Sequence, residues 1–151
     1  MGSLKRILLA EDSPNDVELT LNALAEHRLA NEVVTVGDGD EALDYLYCRG
    51  RFKGRIDGLP AVVLLDIKMP KVDGLEVLRL IRADAKLAAL PVVMLTSSRE
   101  ERDIVESYRL HVNAYVVKPV AFGDFVDAIK NLGLFWAVLN EPPPMSVRRA
   151  A

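Results

Sequence analysis

The sequence predicts an α/β fold, a parallel sheet of five strands covered by helices on both faces. Short β-branched or leucine-rich runs alternate five times with helix-periodic segments, and the runs are apolar throughout rather than alternately apolar and polar. The chain has 151 residues, 50% of them hydrophobic, enough for one substantial core and short for two. Alternation implies parallel strands, because parallel neighbours need a crossover and crossovers are right-handed. Continuous apolar strands suit a sheet buried on both sides.

The first run, Arg6–Ala10, precedes a helix over Asp16–Glu26 that puts Val17, Leu21, Leu24 and Ala25 on one face. Glu32–Val36 is the second strand, and Asp40–Cys48 the second helix, with Leu43, Tyr45, Leu46 and Tyr47 within two turns. Cys48 reads as a small apolar helix residue. Residues 49–60, RGRFKGRIDGLP, are basic and glycine-rich and read as a surface loop. The third strand, Ala61–Leu65, is followed by Met69-Pro70 and Asp73-Gly74, which turn the chain into a third helix over Leu75–Ala83 with Leu75, Leu78 and Ile81 in register. Pro91–Leu95 and Ala114–Val117 are the last two strands. Arg99–Leu110 and Ala121–Leu132 are the last two helices, the second with Phe122, Phe125, Val126 and Ile129 spaced for one buried stripe. No repeat of fixed period is visible, and low complexity is confined to Pro142-Pro143-Pro144.

Composition excludes several classes of function. A formal charge of −3, from 19 basic and 22 acidic interleaved residues, gives no footprint for nucleic acid. The lone cysteine, Cys48, has no partner for an internal disulfide, and no apolar stretch approaches the ~20 residues of a membrane span. Met1 to Arg6 is too short for a signal peptide, so a cytoplasmic location is expected.

In open α/β sheets ligands gather beyond the carboxyl ends of the strands. The first strand ends in Glu11-Asp12, the third in Asp66, the fourth in Thr96-Ser97-Ser98 and the fifth in Lys118-Pro119. Taken singly, each is an ordinary polar strand end, and acids before Asn15-Asp16 also favour a helix N-terminus. Together they place three carboxylates, a hydroxyl and a lysine on one rim. Clustered carboxylates repel, which favours a proton or a hard divalent cation such as Mg²⁺. A carboxylate is also a phosphoryl acceptor, giving an acyl phosphate, and Lys118 and Thr96 are placed to meet the remaining phosphoryl oxygens.

These motifs, Glu11-Asp12, LLDIKMPKVDG around Asp66, MLTSS with Thr96 and AYVVKPV with Lys118, resemble the receiver domain of two-component response regulators over about Lys5 to Leu132. The resemblance implies the flavodoxin-like (βα)5 fold with strand order 2-1-3-4-5. It further implies that a sensor histidine kinase phosphorylates Asp66, that Glu11, Asp12, Asp66 and the Lys68 backbone carbonyl hold Mg²⁺, and that Thr96 and Lys118 contact the phosphoryl group. Thr96 and Tyr115 would form the switch, and Arg99–Leu110, the fifth strand and Ala121–Leu132 the output face. More narrowly, SPNDVELTLNAL, the loop after EALDYLYCRG, SYRLHVNAYVVKPV and Phe135-Trp136 resemble single-domain regulators paired with phytochrome-type sensor kinases.

Details depart from, or add to, the family pattern. Sequence alone favours a trans Lys118–Pro119 bond, whereas the resemblance implies a cis one. Lys68 and Ser98 flank the path of a hydrolytic water in the family, although Lys68 is equally well a solvated loop charge. His111-Val112-Asn113 stand where relatives commonly end a helix with glycine, so either Asn113 takes a left-handed conformation or His111 is strained. His27 reads as a solvated residue at a helix end.

The receiver domain is expected over 1–133, with an apolar and proline-rich extension over 134–151. Leu134, Phe135, Trp136, Val138 and Leu139 exceed what one domain readily buries, although a longer last helix would accommodate some of them. Homodimerisation through the fifth helix region and this arm is therefore expected, and with too little chain after the receiver for an output domain, output is expected to fall to another protein. Two other readings share the fold. An aspartyl-phosphate phosphatase needs a second acid/base carboxylate near the nucleophile, where Asp66-Ile67-Lys68 offers lysine, and a phosphorylation-independent adaptor needs no complete acidic, hydroxyl and lysine set.

Overall fold

The computed structural model describes residues 6–25, 32–56, 58–97, 100–101 and 112–131. Parallel strands β1 (Ile7–Ala10), β2 (Val33–Val36), β3 (Val62–Asp66), β4 (Val92–Thr96) and β5 (Ala114–Val117) form one sheet in the order β2-β1-β3-β4-β5. Helices α1 (Pro14–Ala25), α2 (Gly39–Tyr47), α3 (Gly74–Ala83) and α4 (Phe122–Asn131) connect or follow them. This is the flavodoxin-like arrangement that the sequence and its resemblance imply. Of the helix expected over Arg99–Leu110, only Glu100 and Glu101 are described, and both are helical. His27, His111, Ser98 and the whole of 132–151 lie outside the described residues.

Period-two alternation divides each strand between two cores. Leu8 and Ala10, Val63 and Leu65, and Val92 and Met94 face Ala42, Tyr45 and Leu46 of α2 and Val77, Leu78 and Ile81 of α3. Ile7 and Leu9, Val62 and Leu64, and Val93 and Leu95 face Leu24 of α1 and Phe125, Ala128 and Ile129 of α4. β1, β3 and β4 are buried along their whole length, which is why they read as unbroken apolar runs.

Asp66 and Thr96 close their strands, as expected, and each still pairs in the ladder, Asp66 with Leu95 and Thr96 with Val117. Three sequence expectations change in detail. Cys48 is no helix-interior residue; it is the C-cap of α2 in the left-handed region at φ 55°, its N–H donating to the Asp44 and Tyr45 carbonyls. The basic loop is partly built: Gly50–Phe52 form a 3-10 turn, and the Arg55 guanidinium lies 3.9 Å from the Tyr45 ring, which meets Phe52 edge-on at 5.0 Å. Asn113 has no left-handed backbone; its side-chain carbonyl instead accepts from the Val92 N–H at 2.7 Å and from Arg82 at 2.8 Å, tying the start of β4 to the end of α3.

The loop that carries the chain from β3 into α3 is fixed by close approach. Asp73 caps α3 by accepting from the Glu76 N–H at 2.9 Å, and Gly74 donates to the Ile67 carbonyl at 2.7 Å. A Cβ on Gly74 would stand 2.1 Å from the Asp66 carbonyl oxygen, and one on Gly39 would stand 1.8 Å from the Val72 carbonyl oxygen. Both clashes are with backbone, which has nowhere to go. Gly74→Ala is therefore expected to cost about 2 kcal/mol or more in urea unfolding. Gly123→Ala, on an exposed turn of α4 with nothing within 4 Å, is expected to stabilise by about 0.5 kcal/mol. Equal effects at the two positions would contradict the close-approach account.

Candidate functional site

The sheet register assembles the site. Ala10 pairs with Leu65, so Glu11 emerges beside Asp66; Thr96 pairs with Val117, so Lys118 emerges one residue beyond Thr96. The Lys118 N–H donates to the Thr96 carbonyl at 2.8 Å, and the Lys118–Pro119 bond is cis, as the resemblance implies. Glu11, Asp66 and Thr96 are 2%, 4% and 1% exposed, whereas Asp12 is open to solvent. Helix α1 begins at the same rim: Ser13 accepts from the Asp16 N–H through its hydroxyl at 3.3 Å, and its own N–H donates to Glu11 Oε2 at 3.2 Å.

Glu11, Asp12 and Asp66 each bring one carboxylate oxygen within 4.8 Å of the others. Lys118 Nζ lies 2.9 Å from Asp66 Oδ1, 3.1 Å from Glu11 Oε1 and 3.2 Å from Asp16 Oδ2. Burial pushes the carboxyl groups of Glu11 and Asp66 above their ordinary range. The Lys118 ammonium opposes that rise at both, while Asp66 adds to it at Glu11, and Asp12 and Glu101 add to it at Asp66. For Lys118 burial acts downward, but its hydrogen bonds to Asp66 and Glu11 and their charges outweigh it, so the side chain stays an ammonium.

The structure thus brings together Glu11, Asp12, Asp66 and Lys118, with Thr96 buried at the end of the neighbouring strand. Tyr115 is half-buried against the α2/α3 core and pairs with Met94, two residues before Thr96. The Lys68 side chain is 84% exposed and lies 3.8 Å from Glu101, which agrees with a solvated loop charge. Two neighbours were missed by sequence reasoning. Asp16 reads as a helix N-terminal charge, yet its carboxylate contacts Lys118; Glu101 lies in a helix-periodic segment, yet its carboxylate accepts from the Ser97 N–H at 2.7 Å beside the site. For Asp16 the sequence offers no more than a first-turn acid on a helix that begins at the rim, which does not set it apart from an ordinary helix N-terminal charge.

Buried carboxylates, an ammonium among them and an exposed acid at the mouth, on the strand ends of a 2-1-3-4-5 sheet, define a receiver-type acidic site. Residues 7–130 match the response regulator receiver domain, and the chain belongs to that family. It is similar to the bacteriophytochrome response regulator RtBRR, at 61% identity and TM-score 0.85 over 96% of this chain and 87% of that one. It is equally similar to the bacteriophytochrome response regulator AtBRR, at 61% identity and TM-score 0.87 over 93% and 100%. Response regulator Rcp1 of Synechocystis is 36% identical over 132 residues, 87% of this chain and 88% of its own. A Mn²⁺-bound form of Rcp1 has been solved, with TM-score 0.69 over 88% of this chain and 94% of that one.

The donor set fits a divalent cation: three carboxylate oxygens, two from buried groups whose charge the ion would offset. Raised carboxyls take up protons at a higher pH than ordinary ones, so protons compete with a cation over a wider range on the acid side and the cation binds more freely as pH rises. The expected outcome is a melting temperature that rises with added divalent cation, more at pH 7 than at pH 5, and much less in Asp12→Asn. A shift independent of pH and of Asp12 would place the ion elsewhere.

Proposed function

We propose that the chain is the phosphoacceptor of a two-component system, taking a phosphoryl group onto Asp66 from the phosphohistidine of a sensor histidine kinase. The observation that carries this reading is the Lys118 ammonium 2.9 Å from Asp66 Oδ1, within a cluster of carboxylates suited to a cation. An Asp66 oxygen bonds to phosphorus as the phosphorus–nitrogen bond breaks, and the imidazole keeps the electron pair. Glu11, Asp12, Asp66 and the Lys68 backbone carbonyl would hold Mg²⁺, which supplies charge neutralisation for the incoming phosphoryl group; the Mn²⁺-bound form of Rcp1 supports that assignment. Lys118 and Thr96 then meet the phosphoryl oxygens. The chain acts stoichiometrically, as an acceptor rather than an enzyme.

Identity of 61% with two bacteriophytochrome response regulators supports a phytochrome-type kinase as donor. The reaction belongs to the cytoplasm, and among the described residues no helix is long and apolar enough to cross a membrane. Output passes through Thr96 and Tyr115 to a face built from Arg99–Leu110, β5 and α4, read by a separate protein. A phosphoryl group biases that face only through contacts that differ between two states, which the Thr96 hydroxyl provides.

Incubation with Mg²⁺ and acetyl phosphate is expected to add the mass of one phosphoryl group to the intact chain and none to Asp66→Asn. Thr96→Ala is expected to accept the group yet leave Tyr115 fluorescence unchanged. Labelling of Asp66→Asn, or steady release of phosphate from varied esters, would contradict the acceptor reading, and a wild-type fluorescence response in Thr96→Ala would contradict the switch.

The receiver spans 1–133 in this reading, and 134–151 forms a dimerisation arm working with the fifth helix region. The apolar run Leu134, Phe135, Trp136, Val138 and Leu139 supports it. Truncation after Leu132 is expected to convert a dimer to monomers in sedimentation; an unchanged dimer would remove the arm from the interface.

A further inference from the structure

We infer that Asp16 is a positioning residue for the phosphoryl transfer, acting through Lys118. An ammonium has three donors, and Lys118 Nζ meets three carboxylates: Asp66 Oδ1 at 2.9 Å, Glu11 Oε1 at 3.1 Å and Asp16 Oδ2 at 3.2 Å. The Lys118 side chain is 16% exposed and that of Asp16 32%, so the contact is partly shielded from solvent. Asp66 and Glu11 also belong to the carboxylate cluster suited to a cation, whereas Asp16 stands outside it. With a cation in that cluster, two of the lysine's three acceptors are shared, and Asp16 remains the lysine's own.

The consequence is directional. Asp16 is fixed in the first turn of α1, its N–H held by the Ser13 hydroxyl at 3.3 Å, so it anchors the ammonium from the helix side of the site. An anchored ammonium keeps one location over Asp66 while its other two acceptors turn to new partners. Without Asp16, the flexible lysine side chain is left to follow Glu11 and Asp66 alone, and the fraction of molecules with Nζ in position for the incoming phosphoryl oxygens falls. The carboxylate also adds a negative charge near the positive end of α1, an effect that is purely structural and independent of Lys118.

The two roles separate in a double-mutant cycle. This inference rests on the proposed acceptor reading, so the control is first that wild type labels with acetyl phosphate and Mg²⁺ and Asp66→Asn does not; failure there removes the reading itself. Single-turnover labelling rates are then measured on the full chain at saturating Mg²⁺. Asp16→Asn is expected to slow labelling about three- to tenfold, the range of a charge-assisted hydrogen bond partly open to solvent. Asp16→Glu should recover most of the rate. In a Lys118→Ala background the same Asp16→Asn change should alter the rate less than about 1.5-fold, because the group it acts through is gone. Should Lys118→Ala fold poorly, Lys118→Met provides the background. Equal slowing with and without Lys118, or no slowing in the wild-type background, would overturn the assignment.

Discussion

One ammonium shared among three carboxylates is the interaction on which the rest of this structure depends. Glu11 and Asp66 are buried at adjacent strand ends, where two like charges would repel and each would lose hydration. Lys118 offsets both, and Asp16 fixes the lysine from the helix side. The offset is incomplete, since both buried carboxyls remain raised and Asp12 adds a further acid at the mouth. A site left short of positive charge suits a divalent cation and, in the proposed function, the phosphoryl group that follows it.

The fold exists around this site in a concrete sense. Parallel pairing sets the strand ends on one rim, and the register steps from Ala10–Leu65 to Asp66–Leu95 to Thr96–Val117, delivering each functional side chain to neighbouring strands. The turn after Asp66 is tight enough that Gly74 packs against the Asp66 carbonyl itself, which joins the start of α3 directly to the Asp66 backbone. Tyr115 sits two residues along the ladder from Thr96 and packs on the α2/α3 core, which connects the rim to that packed face.

The strands and the acidic rim were legible because burial on both faces leaves an unbroken apolar run, and such a run ending in a carboxylate is a strong local pattern. Pairing continues through the polar side chains that close two of the strands, Asp66 and Thr96. Less legible were features made by contacts across the chain. The Asp16–Lys118 pair joins residues 102 positions apart, and nothing near Asp16 in sequence distinguishes it from an ordinary first-turn acid. Cys48 in the left-handed region and the Asn113 bridge to Val92 and Arg82 are likewise tertiary: no local residue pattern announces either. Arg55 lies in the basic stretch that reads as a surface loop, and its packing on Tyr45 follows from the turn at Gly50–Phe52 rather than from its neighbours.

The most direct test of the shared-ammonium account is a structure of the full chain with Mg²⁺ and beryllium trifluoride, a phosphoryl mimic. The account predicts the ion on Glu11, Asp12 and Asp66, the mimic on Asp66, Lys118 Nζ turned from Asp66 Oδ1 toward a fluoride, and the Asp16 contact retained. Lys118 still bonded to Asp66 Oδ1, with the mimic held by other groups, would contradict it.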